Sequence, residues 1–363
     1  MKVKVIGAGS IGNHLANAAR RLEWQVDMCD IDLLALERTQ KEIYPSRYGA
    51  WDPKINLHSM ETAPKGDYDL ICIGTPPDSH LSIAKVIACE KPRAVLVEKP
   101  LCEPGSSDLD TVHSLFEKYQ IKAFIGYDHT VGDAVKFCEY LIDNEDFGKL
   151  LTIDVEFREH WGGIFAAHHW LDGPADSYLG FTERGGGALC EHSHAINLWQ
   201  HFALKCDAGL IDKVSCTIDY VKDDLVNYDS LTILTLQSKK GILGRCVQDV
   251  VTKPSNKHLR LQFQNGFLSL EIGKSNGHDL VSWCVGADDI SEKWFQKTRP
   301  DDFINELKHI KDFLENNDYE NSPININRGY ATMSVIKTAL WSQAETRTLQ
   351  VKYPEKLKIK GIN

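Results

Sequence analysis

The fold of this chain is decided by its opening stretch, Val3-Lys4-Val5-Ile6-Gly7-Ala8-Gly9-Ser10-Ile11-Gly12. A short, mostly apolar strand pattern runs into three glycines, and apolar side chains three or four apart then mark one face of a helix. Gly7 permits a tight turn, Gly9 lets the backbone approach a pyrophosphate, and Gly12 lets the helix lie close to the strand. The free N–H groups of the helix N-terminus favour phosphate. The stretch therefore predicts a dinucleotide site that includes Ser10 and Ile11.

An acidic residue at the expected distance supports this interpretation. Asp30 ends the second apolar run, eighteen residues after Gly12. We expect its carboxylate to accept hydrogen bonds from the adenosine ribose, with Ile31 beside it, and to repel a 2′-phosphate. NAD is therefore favoured over NADP as the cofactor. The alternative is a purely structural turn with a solvated aspartate.

Residues 1–130 repeat the same pattern of an apolar run, a turn and a helical stretch. The runs cover residues 3–6, 26–29, 70–74, 94–97 and 123–126. Continuous apolar strands that alternate with helices predict a parallel sheet covered on both faces, so this segment is an α/β, doubly wound Rossmann domain. Thr75 and Pro76 follow the third run, where such folds hold their ligands. His80 begins the next helix as a further cofactor candidate, with a capping or surface role as the alternative.

The pattern changes after residue 130, and we expect residues 131–363 to form a second, α+β domain for substrate binding and oligomerisation. Strand patterns at 151–157, 214–220, 231–236, 241–247, 259–263 and 267–272 include pairs linked by short turns, which predicts antiparallel hairpins. Helical periodicity at 303–314 and 329–346 predicts two C-terminal helices that pack back on the body, including the first domain. Residues 161–184 have little periodicity and predict a loop over a site.

Composition excludes several classes of protein. The net charge of -10 argues against a general affinity for nucleic acid. No apolar stretch approaches the roughly 18 residues of a membrane span, and the start lacks the pattern of a secretory signal. The ten cysteines are scattered without a CxxC pair, which predicts reduced thiols. Together these features predict a cytoplasmic protein with no membrane partner.

Two later motifs carry a family resemblance. Glu98-Lys99-Pro100 follows the Gly-Thr-Pro-Pro turn, and Gly185-Gly186-Gly187-Ala188-Leu189-Cys190-Glu191-His192-Ser193-His194 comes downstream. In this order, with the glycine turn and the acidic end of the second strand, they resemble the Gfo/Idh/MocA oxidoreductases. The resemblance implies NAD(P)-dependent chemistry on hydroxyl-bearing carbons of sugars, cyclitols or nucleotide sugars. It also implies a C-terminal domain with an open, mainly antiparallel sheet that packs in homodimers or homotetramers.

The resemblance also implies catalytic roles. Lys99 sits beside the nicotinamide and the reacting oxygen, His194 is the acid/base candidate, and Glu191 stands where the family commonly has Asp. Oxidation of an alcohol needs a base, and an imidazole titrates near neutral pH. Residues three apart on a helix share a face, so we expect Glu191 to orient His194 or to bind substrate hydroxyls. The alternatives are a core or capping histidine, a helix-start carboxylate and a solvated lysine. Glu98 is expected at the cofactor.

A set of aromatic and polar residues is expected to wall the substrate pocket. Aromatic faces with alternating donors and acceptors suit a polyol. Either arginine of the set can instead bind a carboxylate or phosphate, or form a surface salt bridge, and its asparagine stands where the family often has Asp. The residues are Tyr127, His129, Arg158, Trp161, Arg184 and Asn197.

The sequence leaves three alternatives open: a metal site, a redox-neutral enzyme and a non-catalytic regulator. A metal site could use Glu191, His192 and His194 with His168 and His169, but ligands two apart are weak evidence and no metal is predicted. A redox-neutral enzyme with tightly bound NAD would keep the same fold. A non-catalytic NAD(H)-binding regulator would need only the N-terminal half, so the joint presence of Lys99, Glu191 and His194 disfavours it.

Overall fold

The computed structural model describes residues 1–168, 170–275, 277–357 and 359. These residues divide into two compact units. The first unit comprises Met1–Cys102, Ser106–Asp128 and Pro300–Ile326. The second comprises Glu103–Gly105, His129–Arg299 and Asn327–Asn363. That residues 1–130 and 131–363 fold as separate domains stays a prediction.

The first unit alternates strands and helices. Its strands are β1 (Lys2–Ile6), β2 (Gln25–Asp30), β3 (Ile55–Ser59), β4 (Leu70–Ile73), β5 (Ala94–Val97) and β6 (Lys122–Ile125). Its helices are α1 (Ser10–Arg21), α2 (Leu33–Arg38), α3 (Tyr44–Tyr48), α4 (Pro77–Ala88) and α5 (Leu109–Tyr119). A π-helical turn, Thr39–Ile43, links α2 to α3.

All neighbouring strands of this sheet run parallel, and within the described residues their order is β3-β2-β1-β4-β5-β6. Every residue of β4 and β5 is buried, as expected for a sheet covered on both faces. The chain order reverses between β1 and β4, and ligands of doubly wound folds bind at the carboxyl ends of the strands beside such a point. The predicted doubly wound fold is confirmed.

A segment from late in the chain completes the first unit. It contains nearly all of α10 (Arg299–Glu315) and the turn that follows this helix. The Ile125 amide of β6 donates to the Ile324 carbonyl at 2.8 Å. The hydroxyl of Tyr319 donates to the Ala123 carbonyl at 2.8 Å. The free edge of β6 is therefore joined by residues almost two hundred positions away in sequence.

The second unit is built on a large sheet. Its strands are β7 (Leu150–Arg158), β8 (Ile211–Lys222), β9 (Asn227–Ser238), β10 (Leu243–Asp249), β11 (Asn256–Phe263), β12 (Gly266–Ser275), β13 (His278–Val285), β14 (Ser291–Gln296) and β15 (Leu349–Gln350). Its helices are α6 (Asp133–Asn144), α7 (Gly162–Ala167), α8 (Gly187–Glu191), α9 (His194–Lys205) and α11 (Ile326–Glu345), the last of which begins at the end of the first unit.

Among the residues that the structure covers, these nine strands lie in the order β14-β13-β12-β11-β7-β10-β9-β8-β15. β7 and β10 pair parallel, and the other neighbours pair antiparallel. The mainly antiparallel sheet is thus confirmed, as are the hairpins β9–β10 and β11–β12. The sequence reading missed β13, β14 and the two-residue β15.

Helices pack on one face of this sheet. Ile153, Val155 and Phe157 alternate along β7 as buried residues on that face. The Trp199 indole of α9 donates to the Ile153 carbonyl at 3.0 Å, which fixes the helix to the strand. At the other end, Ser342 of α11 accepts a hydrogen bond from a backbone amide of β8.

Two chain-wide features bear on the predicted class. None of the ten cysteines, all of which lie in described ranges, forms a disulfide. No described helix combines the length and hydropathy that a membrane crossing requires.

Candidate functional site

The glycine turn after β1 has the geometry of a dinucleotide cradle. Gly7 has φ of +103°, and a Cβ on Gly12 would lie 1.8 Å from the Gly7 carbonyl oxygen, so neither position accepts a side chain without strain. A Cβ on Gly9 would meet no protein atom within 4 Å. Gly9 is the N-cap of α1, whose first turn contains no acidic residue. The turn therefore presents a helix N-terminus beside open space, which fits a pyrophosphate.

Asp30 is held against this turn by backbone amides. The Ala8 amide donates to Asp30 Oδ2 at 2.6 Å, and the Asp32 amide donates to Oδ1 at 2.8 Å. Two backbone donors fix the carboxylate at the end of β2. Ile31, the next residue, is 88% exposed. The Asp30 carboxylate therefore has a fixed position, and the solvent-exposed Ile31 lies next to it at the same edge of the sheet.

The loop after β4 forms the other wall of the same edge. A Cβ on Gly7 would lie 2.8 Å from the Gly74 carbonyl oxygen, so the two loops touch through their glycines. Thr75 is half-buried and Pro76 is exposed. His80 is fully buried, with Nε2 at 2.8 Å from the Thr75 carbonyl and Nδ1 at 3.1 Å from the Pro100 carbonyl.

The setting of His80 bears on one of its alternatives, the surface role, while its contact with the cofactor stays a prediction. Burial lowers the pKa of this histidine, and the nearby backbone carbonyls act in the opposite direction. A surface role does not fit a side chain with no exposure. His80 instead links the loop that carries Thr75 to the loop that follows Lys99.

Glu98 and Lys99 follow β5 at the same edge of the sheet. The Glu98 amide donates to the Ile73 carbonyl at 3.0 Å and so extends the pairing of β4 and β5 by one residue. Its buried carboxylate packs on Gly126, where an added Cβ would lie 2.7 Å from Oε2. The Lys99 side chain is half-buried. The motif is therefore anchored through its glutamate, while the lysine keeps some access to solvent.

His194, in the second unit, lies among aromatic rings at the start of α9. Its ring stacks on Phe157 of β7, with centroids 6.1 Å apart and an interplanar angle of 20°. The His129 ring lies 4.6 Å from it at 55°. His129 is buried, and Lys297 Nζ is 3.0 Å from its Nδ1 atom. Two of the predicted site residues are thus brought together, with imidazoles in direct contact.

The structure corrects the expected relation between Glu191 and His194. The two residues do not share one helix face, because α8 ends at Glu191 and α9 begins at His194. His192 leaves the helical region with φ of −96° and ψ of 25°. The Glu191 carboxylate instead accepts a hydrogen bond from the Tyr178 hydroxyl at 3.3 Å. The expected sharing of one helix face is therefore wrong, because the helix is interrupted between the two residues.

A buried carboxylate that the sequence reading missed holds the turn before α8. Asp229 of β9 accepts hydrogen bonds from the Leu189 amide at 2.6 Å and from the hydroxyls of Thr182 and Thr232 at 2.9 and 3.1 Å. Gly187 has φ of +77°, and a Cβ there would lie 1.9 Å from Asp229 Oδ1. Full burial raises the pKa of Asp229 to about 6, although these hydrogen bonds act against the shift. Gly187 is needed because the Asp229 carboxylate fills the space that a side chain would take.

Comparison with known proteins decides the family of the N-terminal segment. Residues 1–127 match the model of the Gfo/Idh/MocA group, described as "Oxidoreductase family, NAD-binding Rossmann fold". Residues 1–127 are a Gfo/Idh/MocA domain. The predicted resemblance and the NAD-binding class are thereby confirmed. No curated protein sequence matches the chain significantly.

Solved structures share the fold beyond the Gfo/Idh/MocA domain. Levoglucosan dehydrogenase in complex with NADH and L-sorbose has a TM-score of 0.77 and 14% identity, over 98% of this chain and 99% of that one. The WlbA dehydrogenase from Bordetella pertussis, in complex with NADH and UDP-GlcNAcA, has a TM-score of 0.69 and 16% identity, over 97% and 99%. An NAD binding oxidoreductase from Klebsiella pneumoniae has a TM-score of 0.75 and 16% identity, over 98% and 99%. At these identities the likeness shows the fold alone.

Two residues predicted to wall the substrate pocket form hydrogen bonds with other side chains of the protein. Arg158 Nε donates to Asp249 Oδ2 at 2.5 Å. This arginine and Thr252 hold the pKa of Asp249 below its ordinary value against the opposite effect of burial. Asn197 is buried, with Oδ1 accepting from the Thr130 hydroxyl at 2.7 Å and Nδ2 at 3.5 Å from Thr332 Oγ1. Both side chains hold elements together, so the geometry gives no support to their expected contact with substrate.

The other predicted wall residues divide by exposure. Tyr127 is fully buried in the first unit, so its ring has no surface to offer a ligand. Trp161 is buried in a small cluster with Leu179 and Val250. Arg184 is half-buried, with its guanidinium 5.9 Å from the Phe181 ring centroid. His169, named in the alternative metal site, lies outside the described residues.

Two further residues of the first unit were not identified from the sequence. Arg47 of α3 donates to the Ser10 hydroxyl at 2.8 Å, which places a guanidinium at the glycine turn of the Gfo/Idh/MocA domain. No motif marks it, because it lies 37 residues from Ser10 in sequence. Glu306 of α10 is fully buried, and burial, followed by the carboxylates of Glu98, Asp128 and Asp302, raises its pKa well above the ordinary value. A glutamate on an amphipathic helix gives no sequence signal of such burial.

Proposed function

We propose that this protein is an NAD-dependent oxidoreductase that transfers a hydride to or from a hydroxyl-bearing carbon of a sugar, cyclitol or nucleotide sugar. The observation that carries the proposal is the glycine turn of residues 7–12. It combines a helix N-terminus, open space at Gly9 and the fixed carboxylate of Asp30. The family match of residues 1–127 supports the same cofactor.

The choice of a hydroxylated substrate rests on proteins of the same fold. Structures of this fold include a levoglucosan dehydrogenase with NADH and L-sorbose and a dehydrogenase with NADH and UDP-GlcNAcA. Both bound molecules carry sugar hydroxyls, and alcohol oxidation needs only the nicotinamide and a proton acceptor. We therefore assign this chain to the same class of substrate.

Asp30 is proposed to set the preference for NAD over NADP, and Arg47 is proposed to strengthen binding of the pyrophosphate. The Asp30 carboxylate, fixed by the Ala8 and Asp32 amides, accepts hydrogen bonds from a ribose diol and repels a 2′-phosphate. Arg47 donates a hydrogen bond to the Ser10 hydroxyl. Its guanidinium therefore supplies a positive charge beside the turn for the pyrophosphate. NADH should consequently bind more tightly than NADPH.

His194 and Lys99 are proposed as the catalytic residues. Bound NAD⁺ would supply the hydride acceptor for this chemistry. The neutral imidazole of His194 accepts the hydroxyl proton, while the ammonium of Lys99 stabilises the negative charge that develops on oxygen. In the reverse direction His194 returns the proton. Glu191, whose carboxylate binds the Tyr178 hydroxyl, is proposed to hold substrate hydroxyls rather than to orient His194.

Assembly through the second sheet is part of the proposal. The face of this sheet away from α6 and α9 carries the exposed apolar side chains of Ile233 and Leu243. A charged ladder of Arg245 with Asp154 and Glu156 lies on the same face. We expect a homodimer or homotetramer through this face. Multi-angle light scattering of the purified chain should give at least twice the 40.9 kDa of one chain, and a monomer at all concentrations would contradict it.

The direct test is a screen for NAD⁺ reduction and NADH oxidation over sugars, inositols, nucleotide sugars and their keto forms. Absorbance at the NADH band should change with at least one substrate of this class. NADH binding without turnover on the whole panel would contradict the proposal and favour the non-catalytic regulator. Conversion of substrate without net change in NADH would favour the redox-neutral enzyme.

Variants test the assigned residues once a substrate is found. Lys99→Ala and His194→Ala should each lose about a hundredfold or more in kcat while NADH affinity is kept. Lys118→Ala, an exposed lysine of the same unit, is the matched control and should behave as wild type. Near-normal kcat in either of the first two variants would remove that residue from the chemistry.

A further inference from the structure

A lysine and an aspartate stand behind the histidine pair of the second unit. Lys297 follows β14, and its Nζ atom lies 3.0 Å from His129 Nδ1. Asp279 of β13 lies on the other side of the lysine, with Oδ2 3.6 Å from Nζ. The other oxygen of Asp279 accepts the Gly273 amide at 2.8 Å. The chain Asp279–Lys297–His129 is therefore tied to the β12–β13 hairpin and ends at the ring that touches His194.

The Lys297 and Asp279 side chains of this series are largely buried. The Lys297 and Asp279 side chains are only 17% and 7% exposed. An ion pair with so little exposure is screened far less than a surface pair. Holding a lysine in such a place requires compensation, which Asp279 and His129 supply. The arrangement is thus more than a mobile surface salt bridge.

The lysine fixes which nitrogen of His129 carries the proton. An ammonium group only donates hydrogen bonds, so Nδ1 of His129 must accept. The ring is then neutral with its hydrogen on Nε2, because the bond made by one ring nitrogen sets the state of the other. A second proton on the ring would place a cation directly against Lys297. His129 therefore offers a donor at Nε2 and resists protonation.

We propose that Lys297 and Asp279 are positioning residues that hold His129 as a neutral Nε2–H donor, so that His194 alone carries the proton exchanged with substrate. The inference rests on the proposed role of His194 as acid and base. Two imidazoles 4.6 Å apart cannot both become cations without strong repulsion. Keeping one of them neutral allows the other to take up the proton.

Each charged group around the His129 ring either favours or opposes protonation of that ring. Within the second unit, Lys297 faces Nδ1, Asp279 lies behind the lysine, and His194 faces the ring. Phe157 of β7, the other aromatic neighbour, carries no charge. Asp128, the preceding residue in the chain, is a carboxylate that favours the imidazolium. Lys297 is therefore the group whose loss should release His129 for protonation.

The first test observes His129 itself, without any substrate. In the full chain labelled with ¹⁵N-histidine, the ring signals of His129 are assigned by their loss in His129→Gln. We expect an unprotonated Nδ1 and a protonated Nε2 between pH 6 and 8. In Lys297→Met the ring should show mixed tautomers and titrate at a pH higher by roughly one unit, because the charges of Asp279 and Asp128 are then not offset. Lys297→Arg, which keeps a cationic donor, should restore the wild-type tautomer.

The matched control is Lys293→Met on β14, which removes the same charge from a lysine that stacks on Phe137. It should leave the His129 signals unchanged. A wild-type His129 protonated at Nδ1 would overturn the proposal. The proposal is also overturned if Lys297→Met leaves the tautomer and titration as they were.

The second test uses kinetics and separates this inference from the proposed function. With a reduced polyol as substrate, Lys297→Met should move the acidic limb of the kcat/KM profile to higher pH by roughly half a unit, since the His129–His194 pair, relieved of the lysine charge, then takes up its first proton more readily. Lys297→Arg should return the limb toward wild type. An unchanged limb in both variants would contradict the inference, whereas failure of all polyols to react would contradict the proposed function and leave the ¹⁵N result standing.

Discussion

At the scale of single residues, Asp229 shows how a buried charge is used to build a turn. It lies fully buried beneath the triple glycine, where it accepts one amide and two hydroxyl hydrogens. Burial raises its pKa to about 6 from the ordinary value of 3.8. The folded protein consequently binds this proton more tightly than the unfolded chain does.

The sign of the pH dependence follows from that raised pKa. The contribution of Asp229 to stability is fully present below about pH 3.8 and is lost as the pH rises through about 6. Asp229→Asn removes the titration but introduces a fixed penalty, since its amide faces the Leu189 N–H. The wild-type free energy of unfolding, minus that of Asp229→Asn, should fall by roughly 3 kcal/mol at most between pH 4 and 7.

Urea denaturation of both proteins across this pH range measures the difference. Thr232→Val, which removes one donor and keeps the carboxylate, should retain the pH dependence and make it somewhat steeper, because this hydrogen bond opposes the raised pKa of Asp229. A difference between wild type and Asp229→Asn that does not change with pH would contradict the raised pKa. The same residue explains why the sequence reading found the glycines but missed their partner: Asp229 lies on a strand about forty positions later.

At the scale of elements, the sequence predicts best where a local pattern and a fixed geometry coincide. β1, the glycine turn and α1 form one such unit, because Gly7 has a positive φ and Gly12 lies against the Gly7 carbonyl five residues earlier. The apolar runs of β4 and β5 are buried throughout and were found for the same reason. β3 was missed as an edge strand in which only Ile55 is buried.

The break between α8 and α9 could not be read from the sequence. No glycine or proline lies between Glu191 and His194, so helix propensity predicts continuity. The structure instead turns at His192, with the Ser193 amide donating to the Cys190 carbonyl at 3.1 Å. This turn starts a new helix at His194 and sets its ring on Phe157. Tertiary packing on β7 therefore decides the catalytic candidate's position, and that information is absent from local spacing.

At the scale of the whole molecule, the change of sequence pattern near residue 130 predicts the fold class. It does not predict which side chains meet in the site. The order of the two sheets agrees with alternating and hairpin patterns. Lys297, Arg47 and Glu306 gave no signal, because each depends on a contact with a distant segment. The expected substrate contacts of Arg158 and Asn197 stay predictions, since the structure shows only their hydrogen bonds to Asp249 and Thr130.

The proposed function requires a cofactor held at the glycine turn, and a substitution at Gly9 tests this most directly. An added Cβ at Gly9 meets no protein atom within 4 Å, so Gly9→Ala should fold and change the thermal midpoint by only a few degrees. The same Cβ would intrude where the pyrophosphate approaches. Gly173→Ala, where an added Cβ also meets nothing, is the matched control.

The measurement is a fluorescence titration of NADH into wild type, Gly9→Ala and Gly173→Ala. We expect wild type and Gly173→Ala to bind NADH alike, and Gly9→Ala to bind it about tenfold more weakly or worse. Equal NADH affinity in all three proteins, or no binding by wild type, would contradict the claim that this turn holds the dinucleotide.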